Sequence, residues 1–195
     1  MRILSDEVCK PFDVARKGLN LGEGAAYLVL EREEDAAGKK IYAELSGYGN
    51  TNDAYHPSSL GDDGEGPYRA MQEALATAKL QPGHINYVNT HGTATENNDE
   101  VELQAMKRVF GQVPCFNSTK SYTGHTLGAA SAVEAVFSVL ALQHQEVYPT
   151  LNFDQPGNHS GIKPVTRYQP LAVEHAMSNS FGFGGSCTSL IFSKA

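Results

Sequence analysis

Two histidines and one lysine are the residues of this 195-residue chain whose type and position best suit chemistry. His91 lies two residues after the strand-like run at residues 85–89, and His125 follows Lys120 and precedes a stretch of small residues. An imidazole changes charge near neutral pH and can donate or accept a hydrogen bond, so it can move protons or stabilise charge. Together with the glycine-rich turn at residues 181–185, these glycine-bearing loops at element junctions predict one active site.

Each histidine taken alone also has a structural interpretation. A histidine at the end of a strand, such as His91, often only satisfies local hydrogen bonds. His125 precedes a predicted helix and could act as a polar cap there. A histidine-based metal hydrolase is a further alternative, although no close ligand pair and no carboxylate at metal spacing accompanies the two histidines. On the residues alone these alternatives stay open.

Apolar patterning predicts strands and helices that alternate along the chain. We expect strands at residues 24–32, 41–47, 85–89, 113–116, 176–180 and 188–192. We expect helices at residues 33–37 and 66–80, in the acidic-starting stretch that ends at Gly111, and in the small-residue stretch after His125. The irregular segment 152–169 is predicted to be a long surface loop.

This order of elements predicts an α/β fold made of a layered sheet and packed helices. In such folds the functional loops lie at the carboxyl ends of the strands. We therefore expect the loops after the strands at 85–89 and 113–116, and the turn at 181–185, to meet at one edge of the sheet. The chain is long enough to bury a core and is predicted to form one domain, residues 1–195.

The composition disfavours several classes of partner. The formal net charge is −7 and no Lys/Arg-rich run occurs, so nucleic acid is not an expected partner. Cys9, Cys115 and Cys187 are widely spaced and odd in number, which predicts neither a disulfide framework nor a metal-ligand pair. The most apolar stretch, 127–142, contains Glu134 and is predicted to be a buried helix rather than a membrane span. Without a signal-peptide pattern, the expected location is the cytoplasm.

Three segments resemble signature motifs of one enzyme family. Residues 89–95 (NTHGTAT), 118–125 (STKSYTGH) and 179–185 (NSFGFGG) are similar to the three C-terminal motifs of the β-ketoacyl-acyl-carrier-protein synthases, 3-oxoacyl-ACP synthase II-like condensing enzymes of the thiolase superfamily. They occur in the family's order and at similar separations. Further similarity covers residues 12–13, 22–25 and 53–56, so the resemblance extends over essentially the whole chain.

The resemblance implies a thiolase-like fold of which this chain is the C-terminal half, with a mixed sheet packed by helices. Thiolase-like folds consist of two similar halves, and the family's acylated cysteine lies in the preceding one. No position of this sequence matches that cysteine motif. Cys187 follows the glycine-rich turn where relatives commonly have asparagine, and Glu96 stands where relatives often have proline. A small buried cysteine is the ordinary interpretation of Cys115 and Cys187.

The resemblance also assigns catalytic roles. His91 and His125 would be the neutral N–H donors that stabilise the thioester oxygen while a malonyl group loses carbon dioxide. Lys120 would disfavour protonation of both imidazoles. Glu102 is similar to the glutamate that pairs with this lysine; its alternative is a solvated helix charge.

Other side chains are implied in binding. Thr93 and Thr95 resemble the hydroxyls that contact the pantetheine arm, with capping of the next helix as the alternative. Phe183 matches a gating phenylalanine whose backbone N–H helps to form an oxyanion hole, with a core phenylalanine as the alternative. Some relatives carry a structural cation, and the residues that resemble its site are Asn89, Glu134, Ser178 and Asn179.

The implied function is decarboxylating Claisen condensation that elongates acyl chains with malonyl-acyl carrier protein in fatty-acid or polyketide synthesis. No cofactor of its own is expected, since the carrier protein brings the phosphopantetheine. The expected partners are acyl carrier protein, an N-terminal half and a second copy in the intact enzyme; neither nucleic acid nor a membrane is expected. Alone, the acyltransferase chain should be inactive. The alternative is a non-catalytic, chain-length-factor-like companion subunit, which would have no need of His91, Lys120 and His125.

Overall fold

The computed structural model describes residues 3–157 and 161–195. The strands are β1 (Glu44–Asn52), β2 (Tyr87–Asn89), β3 (Cys115–Asn117), β4 (Glu146–Val147), β5 (Gln169–Pro170), β6 (His175–Phe181) and β7 (Ser186–Ser193). The helices are α1 (Glu65–Ala78), α2 (Glu96–Phe110), α3 (Lys120–Thr123) and α4 (Ala130–His144). Short 3₁₀ turns lie at Glu33–Asp35, Pro82–His84, Leu127–Ala129 and Phe183–Gly185.

Five of the strands form one mixed sheet in the order β1-β7-β6-β2-β3. β1 and β6 each pair with β7 in the antiparallel direction, whereas β2 pairs in parallel with both β3 and β6. The parallel strands need crossover connections, which α1, α2 and α4 provide in chain order. β4 and β5 form a separate antiparallel pair.

The two faces of the sheet carry two apolar cores. Alternating side chains along each strand point to opposite faces, so Val88 joins the core with α1 and α2 while its neighbour Tyr87 joins the core with α4. On β6, Met177 likewise joins the core with α1 and α2, and its neighbour Ala176 joins the core with α4. The result is a layered α/β architecture, and the predicted fold class is confirmed.

Most elements lie within a few residues of their predicted positions. The helix expected at 66–80 is α1, and the last two strands are β6 and β7. The strand expected at 41–47 runs instead from 44 to 52, because its whole length pairs with β7. The predicted loop at 152–169 is irregular in its described residues; residues 158–160 of it lie outside the described chain.

The strand predicted at 24–32 is wrong. These residues form no strand, and Tyr27, Val29 and Leu30 are 92%, 88% and 68% exposed. An apolar, β-branched run needs a neighbouring strand to pair with, and the described residues offer this segment none.

Helix α4 is less enclosed than its composition predicts. It packs against the sheet through Ala135, Ala141 and Leu142, while Leu140 remains 41% exposed on another side. The stretch 127–144 is long and apolar enough to cross a membrane by composition. Glu134, however, is buried within it in an ion pair with Lys120, which is typical of a core helix.

Candidate active site

The carboxyl ends of three neighbouring strands bring the candidate residues together. His91 follows β2, Lys120 follows β3, and the glycine-rich turn with Phe183 follows β6. Because these three strands run in parallel side by side, their following loops meet at one edge of the sheet. A cavity of about 800 Å³ opens there, and His91, His125 and Phe183 all line it. The chain therefore places these three distant residues around one space.

His91 is held in one orientation by Lys120. The lysine Nζ lies 3.2 Å from His91 Nδ1 and 2.6 Å from the His91 carbonyl oxygen. An ammonium can only donate hydrogen bonds, so Nδ1 must accept. In a neutral ring the proton is then on Nε2, which is left as a donor.

His125 has the same tautomer for a different reason. The backbone N–H of Leu127 donates to His125 Nδ1 at 3.1 Å. That contact again makes Nδ1 the acceptor and Nε2 the protonated nitrogen. The 3₁₀ turn at Leu127–Ala129, which separates His125 from α4, supplies this donor.

The two imidazoles stand close together and both favour the neutral state. Their ring centroids are 5.4 Å apart and the planes are nearly perpendicular, at 85°. Burial, the Lys120 charge and His125 hold the pKa of His91 well below its usual value. Burial and Lys120 lower the pKa of His125 to about 4. At neutral pH the site thus presents two neutral N–H donors.

The expected pairing of Lys120 with Glu102 is wrong, because Lys120 pairs with Glu134. Lys120 is 1% exposed, and its Nζ contacts a carboxylate oxygen of Glu134 on α4. With the two His91 contacts this makes three acceptors around Nζ, which matches the three donors of an ammonium group. The lysine therefore links β3, α4 and the His91 loop.

Glu102 instead fixes the backbone of the histidine loop. Its carboxylate accepts hydrogen bonds from the backbone N–H groups of His91 and Gly92, both at 2.9 Å, and from Asn179 Nδ2 at 3.2 Å. Burial raises the pKa of Glu102 to about 7, and the two backbone donors oppose that rise. Glu102 is fully buried, so the alternative interpretation, a charged residue on a solvent-exposed helix face, is wrong.

Thr93 and Thr95 line the same cavity. Their hydroxyl groups form a hydrogen bond, with the two oxygens 2.8 Å apart. Thr95 is the residue before α2, yet its side chain makes no capping hydrogen bond to the helix. The capping interpretation of Thr95 is therefore not observed; its hydroxyl pairs with that of Thr93 at the cavity wall.

The two phenylalanines of the glycine-rich turn differ in position. Phe183 is 64% exposed at the cavity wall, so it is not a core residue. Phe181 is buried, and its ring lies 5.6 Å from that of His91 in an edge arrangement. Sequence reasoning did not single out Phe181, although its place two residues before Phe183 on the same strand end was a usable signal.

Asp99 is a second residue that sequence reasoning missed. This buried carboxylate accepts hydrogen bonds from the backbone N–H of Phe12 at 2.7 Å and of Ala94 at 3.1 Å. It thereby ties the N-terminal segment to the loop that carries Thr93. The acidic first turn of α2 was the available signal, but the partners of an acid there are not visible in sequence.

The family model "Beta-ketoacyl synthase, C-terminal domain" matches residues 42–154, more than half of the chain. The chain belongs to the β-ketoacyl synthase family. The predicted family is thus confirmed, and the glycine-rich turn at 181–185 lies C-terminal to the matched range.

Curated synthases resemble nearly the whole chain. A mitochondrial 3-oxoacyl-[acyl-carrier-protein] synthase of Arabidopsis thaliana is 46% identical over 95% of this chain and 42% of the relative. A 3-oxoacyl-[acyl-carrier-protein] synthase 2 of Staphylococcus aureus is 43% identical over 97% of this chain and 47% of the relative. The chain spans about half the length of these synthases.

Solved ketosynthases share its fold. The ishigamide ketosynthase/chain length factor is 36% identical with a TM-score of 0.94, and the match covers 98% of this chain and 48% of that one. The predicted thiolase-like ketosynthase fold is confirmed by this likeness together with the mixed five-stranded sheet.

The three cysteines of this β-ketoacyl synthase chain lie away from the cavity. Cys9 and Cys187 are buried, and burial raises the pKa of each thiol to about 12. Cys115 begins β3, at the opposite end of that strand from the loop that carries Lys120. None of the three lines the cavity.

The residues that resemble a cation site do not form one set of side chains. Asn89 and Ser178 are paired across β2 and β6, and Asn89 Nδ2 donates to the Glu134 carbonyl oxygen on the α4 face. The Asn179 side chain lies on the other face with Glu102. Among the described residues no group of three or more His, Cys, Asp or Glu side chains could hold a metal ion. The Glu134 Oε2 atom, on the α4 face of the sheet, is buried without a hydrogen-bond partner.

Proposed function

We propose that this chain supplies the decarboxylating half of a 3-oxoacyl-acyl-carrier-protein synthase. The observation that carries the proposal is the pair of imidazoles, His91 and His125, whose Nδ1 atoms both accept hydrogen bonds while their Nε2 atoms remain donors beside one cavity. Two preorganised N–H donors, one on a buried and one on a half-buried imidazole, suit an oxygen that gains negative charge.

In the proposed reaction a malonyl thioester binds with its thioester oxygen near the two Nε2–H groups. The bond between the carboxylate carbon and the α-carbon breaks, carbon dioxide leaves, and the electron pair moves into the thioester as an enolate. His91 and His125 stabilise the enolate oxygen without giving up their protons. The enolate carbon then attacks the carbonyl carbon of an acyl group on a cysteine, and the cysteine sulfur leaves as a thiolate.

That cysteine has to come from a second half of the enzyme. None of the thiols in this chain lines the cavity, and the two with pKa values of about 12 carry almost no thiolate near neutral pH. We therefore propose that residues 1–195 form the C-terminal β-ketoacyl synthase domain and that the chain alone is inactive in condensation.

The surface carries two features that suit such a second half. The segment 24–31 exposes Tyr27 and Val29 almost fully, and Leu127 just before helix α4 and Leu140 within it are also exposed. Exposed apolar surface of this kind, where it is extensive, marks an interface. We propose that the N-terminal half pairs with the 24–31 segment and covers α4.

The remaining partners follow from the same proposal. Acyl carrier protein would deliver the malonyl group on its phosphopantetheine arm, with Thr93 and Thr95 at the cavity wall as contacts for that arm. The chain would need no cofactor of its own. The intact enzyme would be a cytoplasmic homodimer, although one relative is named as mitochondrial.

A chain-length-factor-like companion is the second candidate, because one solved structure of similar fold is a ketosynthase/chain length factor. A companion without chemistry has no need of a buried lysine that fixes a histidine tautomer. The three-acceptor arrangement around Lys120 therefore favours the catalytic candidate.

Assembly with an N-terminal half tests the proposal. We expect this chain alone to give no β-ketoacyl product and no acyl-cysteine, and the chain combined with a nucleophile-bearing half to give both. Condensation by the chain alone, or assembly that produces acyl-cysteine but never releases carbon dioxide from malonyl-acyl carrier protein, would contradict it.

A further inference from the structure

His125 is held by a segment that lies about a hundred residues earlier in the chain. The backbone N–H of His125 donates to the Asn20 carbonyl oxygen at 2.8 Å, and the His125 carbonyl oxygen accepts from the Gly22 N–H at 3.1 Å. Leu21 and His125 thus form a parallel β-bridge. This segment precedes the part of the chain that matches the family model.

The bridge requires an unusually close approach at Gly22. A Cβ atom at this position would lie 1.8 Å from the Thr123 carbonyl oxygen and 3.0 Å from the Thr123 carbonyl carbon. The obstacle is backbone, which cannot rotate away as a side chain can. Across the contact, Gly124 has a φ of +66°, and a Cβ there would lie 2.9 Å from the Gly22 nitrogen. Gly22 and Gly124 therefore face each other directly beside the His125 backbone.

The position of the His125 backbone determines where its ring can point. Its Nδ1 accepts from the Leu127 N–H only two residues ahead, so the ring is fixed relative to its own loop and moves with it. The only backbone anchors of His125 itself among the described residues are Asn20 and Gly22. A displacement of the 20–22 segment would move the loop and turn Nε2–H away from the cavity.

We propose that Gly22 is a positioning residue for His125. It touches no substrate; it allows segment 20–22 to approach the 123–125 backbone closely enough to fix the catalytic imidazole. This inference rests on the proposed function for its catalytic meaning, but its geometry can be tested without any turnover.

The test uses nitrogen NMR of the imidazoles in the 195-residue chain at neutral pH. In the wild-type chain we expect His91 and His125 each to show a single neutral tautomer with the proton on Nε2. Gly22→Ala should remove the single His125 tautomer signal and leave His91 unchanged, because Lys120 holds His91 independently.

Gly24→Ala is the matched control in the same segment. Its added Cβ would first meet the Thr126 Cγ2 atom at 3.4 Å, an ordinary contact, so both histidine signals should stay as in the wild type. A folded Gly22→Ala chain that keeps the wild-type His125 signal would overturn the proposal, and so would an equal effect of Gly24→Ala.

Asn20→Ala keeps the test decisive if Gly22→Ala does not fold. The Asn20 side chain ties its own backbone to the carbonyl oxygens of Ser5 and Glu7 and to the Cys9 N–H. Its loss should loosen the Asn20 carbonyl, so that the His125 amide exchanges faster with solvent and its ring signals broaden while those of His91 do not. Unchanged His125 exchange would overturn the proposal. None of these results depends on condensation, so failure of the proposed function would appear separately.

Discussion

Lys120 Nζ lies 3.2 Å from Nδ1 of His91. Because the ammonium can only donate, this contact sets the tautomer of the histidine, and its charge also opposes protonation of both imidazoles. Glu134 compensates the buried charge. One lysine therefore sets the direction of the His91 donor and adds to the effect of burial in keeping the ring neutral.

The first prediction concerns the pH dependence of decarboxylation in the assembled enzyme. Protonation of His125 at Nδ1 would break its contact with the Leu127 N–H, so the rate should fall only as pH drops through the lowered pKa of about 4. An unperturbed histidine would give a fall near pH 6.5. A rate profile of carbon dioxide release with its acidic fall at pH 6.5 would contradict the burial and charge effects described for the site.

The second prediction removes the lysine that lowers both histidine pKa values. Lys120→Ala alone would leave the Glu134 carboxylate buried and unpaired, which typically costs about 3–5 kcal/mol of stability, so we specify Lys120→Ala with Glu134→Gln. Without the ammonium, the pKa of each imidazole rises and the acidic fall of the rate moves to higher pH. Lys107→Ala, an exposed lysine on α2, is the control and should leave the profile in place.

The third prediction concerns the loop anchor Glu102. Glu102→Gln replaces one of two acceptor oxygens by an N–H₂ group that faces a backbone donor of His91 or Gly92. We expect a loss of about 1–3 kcal/mol in the free energy of unfolding, measured by urea denaturation of the chain, since a buried donor is left unsatisfied. Glu100→Gln on the same helix should change it by less than about 0.5 kcal/mol; equal losses for both variants would show that the loop anchor is not specific.

The sequence predicted which loops meet better than how their side chains are held. Histidine and lysine loops that follow apolar strands were expected at one edge of the sheet and lie there, because parallel strands align their carboxyl ends. The partner of Lys120 was not predictable in the same way. Glu102 lies on α2 and Glu134 on α4, which pack on opposite faces of the sheet, and only the packing of α4 against the sheet decides between the two glutamates. A carboxylate inside the apolar run 127–142 was the one signal that Glu134 needs a buried partner.

The wrong strand at 24–32 has a related cause. Its apolar pattern is that of a paired strand, but pairing is a property of two segments, and the described chain holds no partner for it. We propose the same cause, a missing partner, for the partial exposure of α4. These two errors lie on the surface that we assign to the N-terminal half.

The fourth prediction concerns the thiols of the chain by itself. Cys9 and Cys187 have pKa values raised to about 12 and should react slowly with a thiol reagent at pH 8, because the thiolate is the reactive form. All three cysteines should react rapidly after denaturation, which is the control. Rapid labelling of Cys187 in the folded chain would make it a candidate nucleophile and weaken the assignment of this role to another half.

We propose that His91 and His125 act together as the donors that stabilise the malonyl enolate. The most direct measurement is carbon dioxide release from malonyl-acyl carrier protein by the assembled enzyme, compared with transfer of an acyl group onto its cysteine. His91→Ala and His125→Ala should each lower carbon dioxide release by about 100-fold or more, the scale of losing one oxyanion donor, and should affect acyl transfer less. His84→Ala, an exposed histidine in the Pro82–His84 turn, should change neither. Carbon dioxide release that survives both changes while acyl transfer collapses would contradict the account.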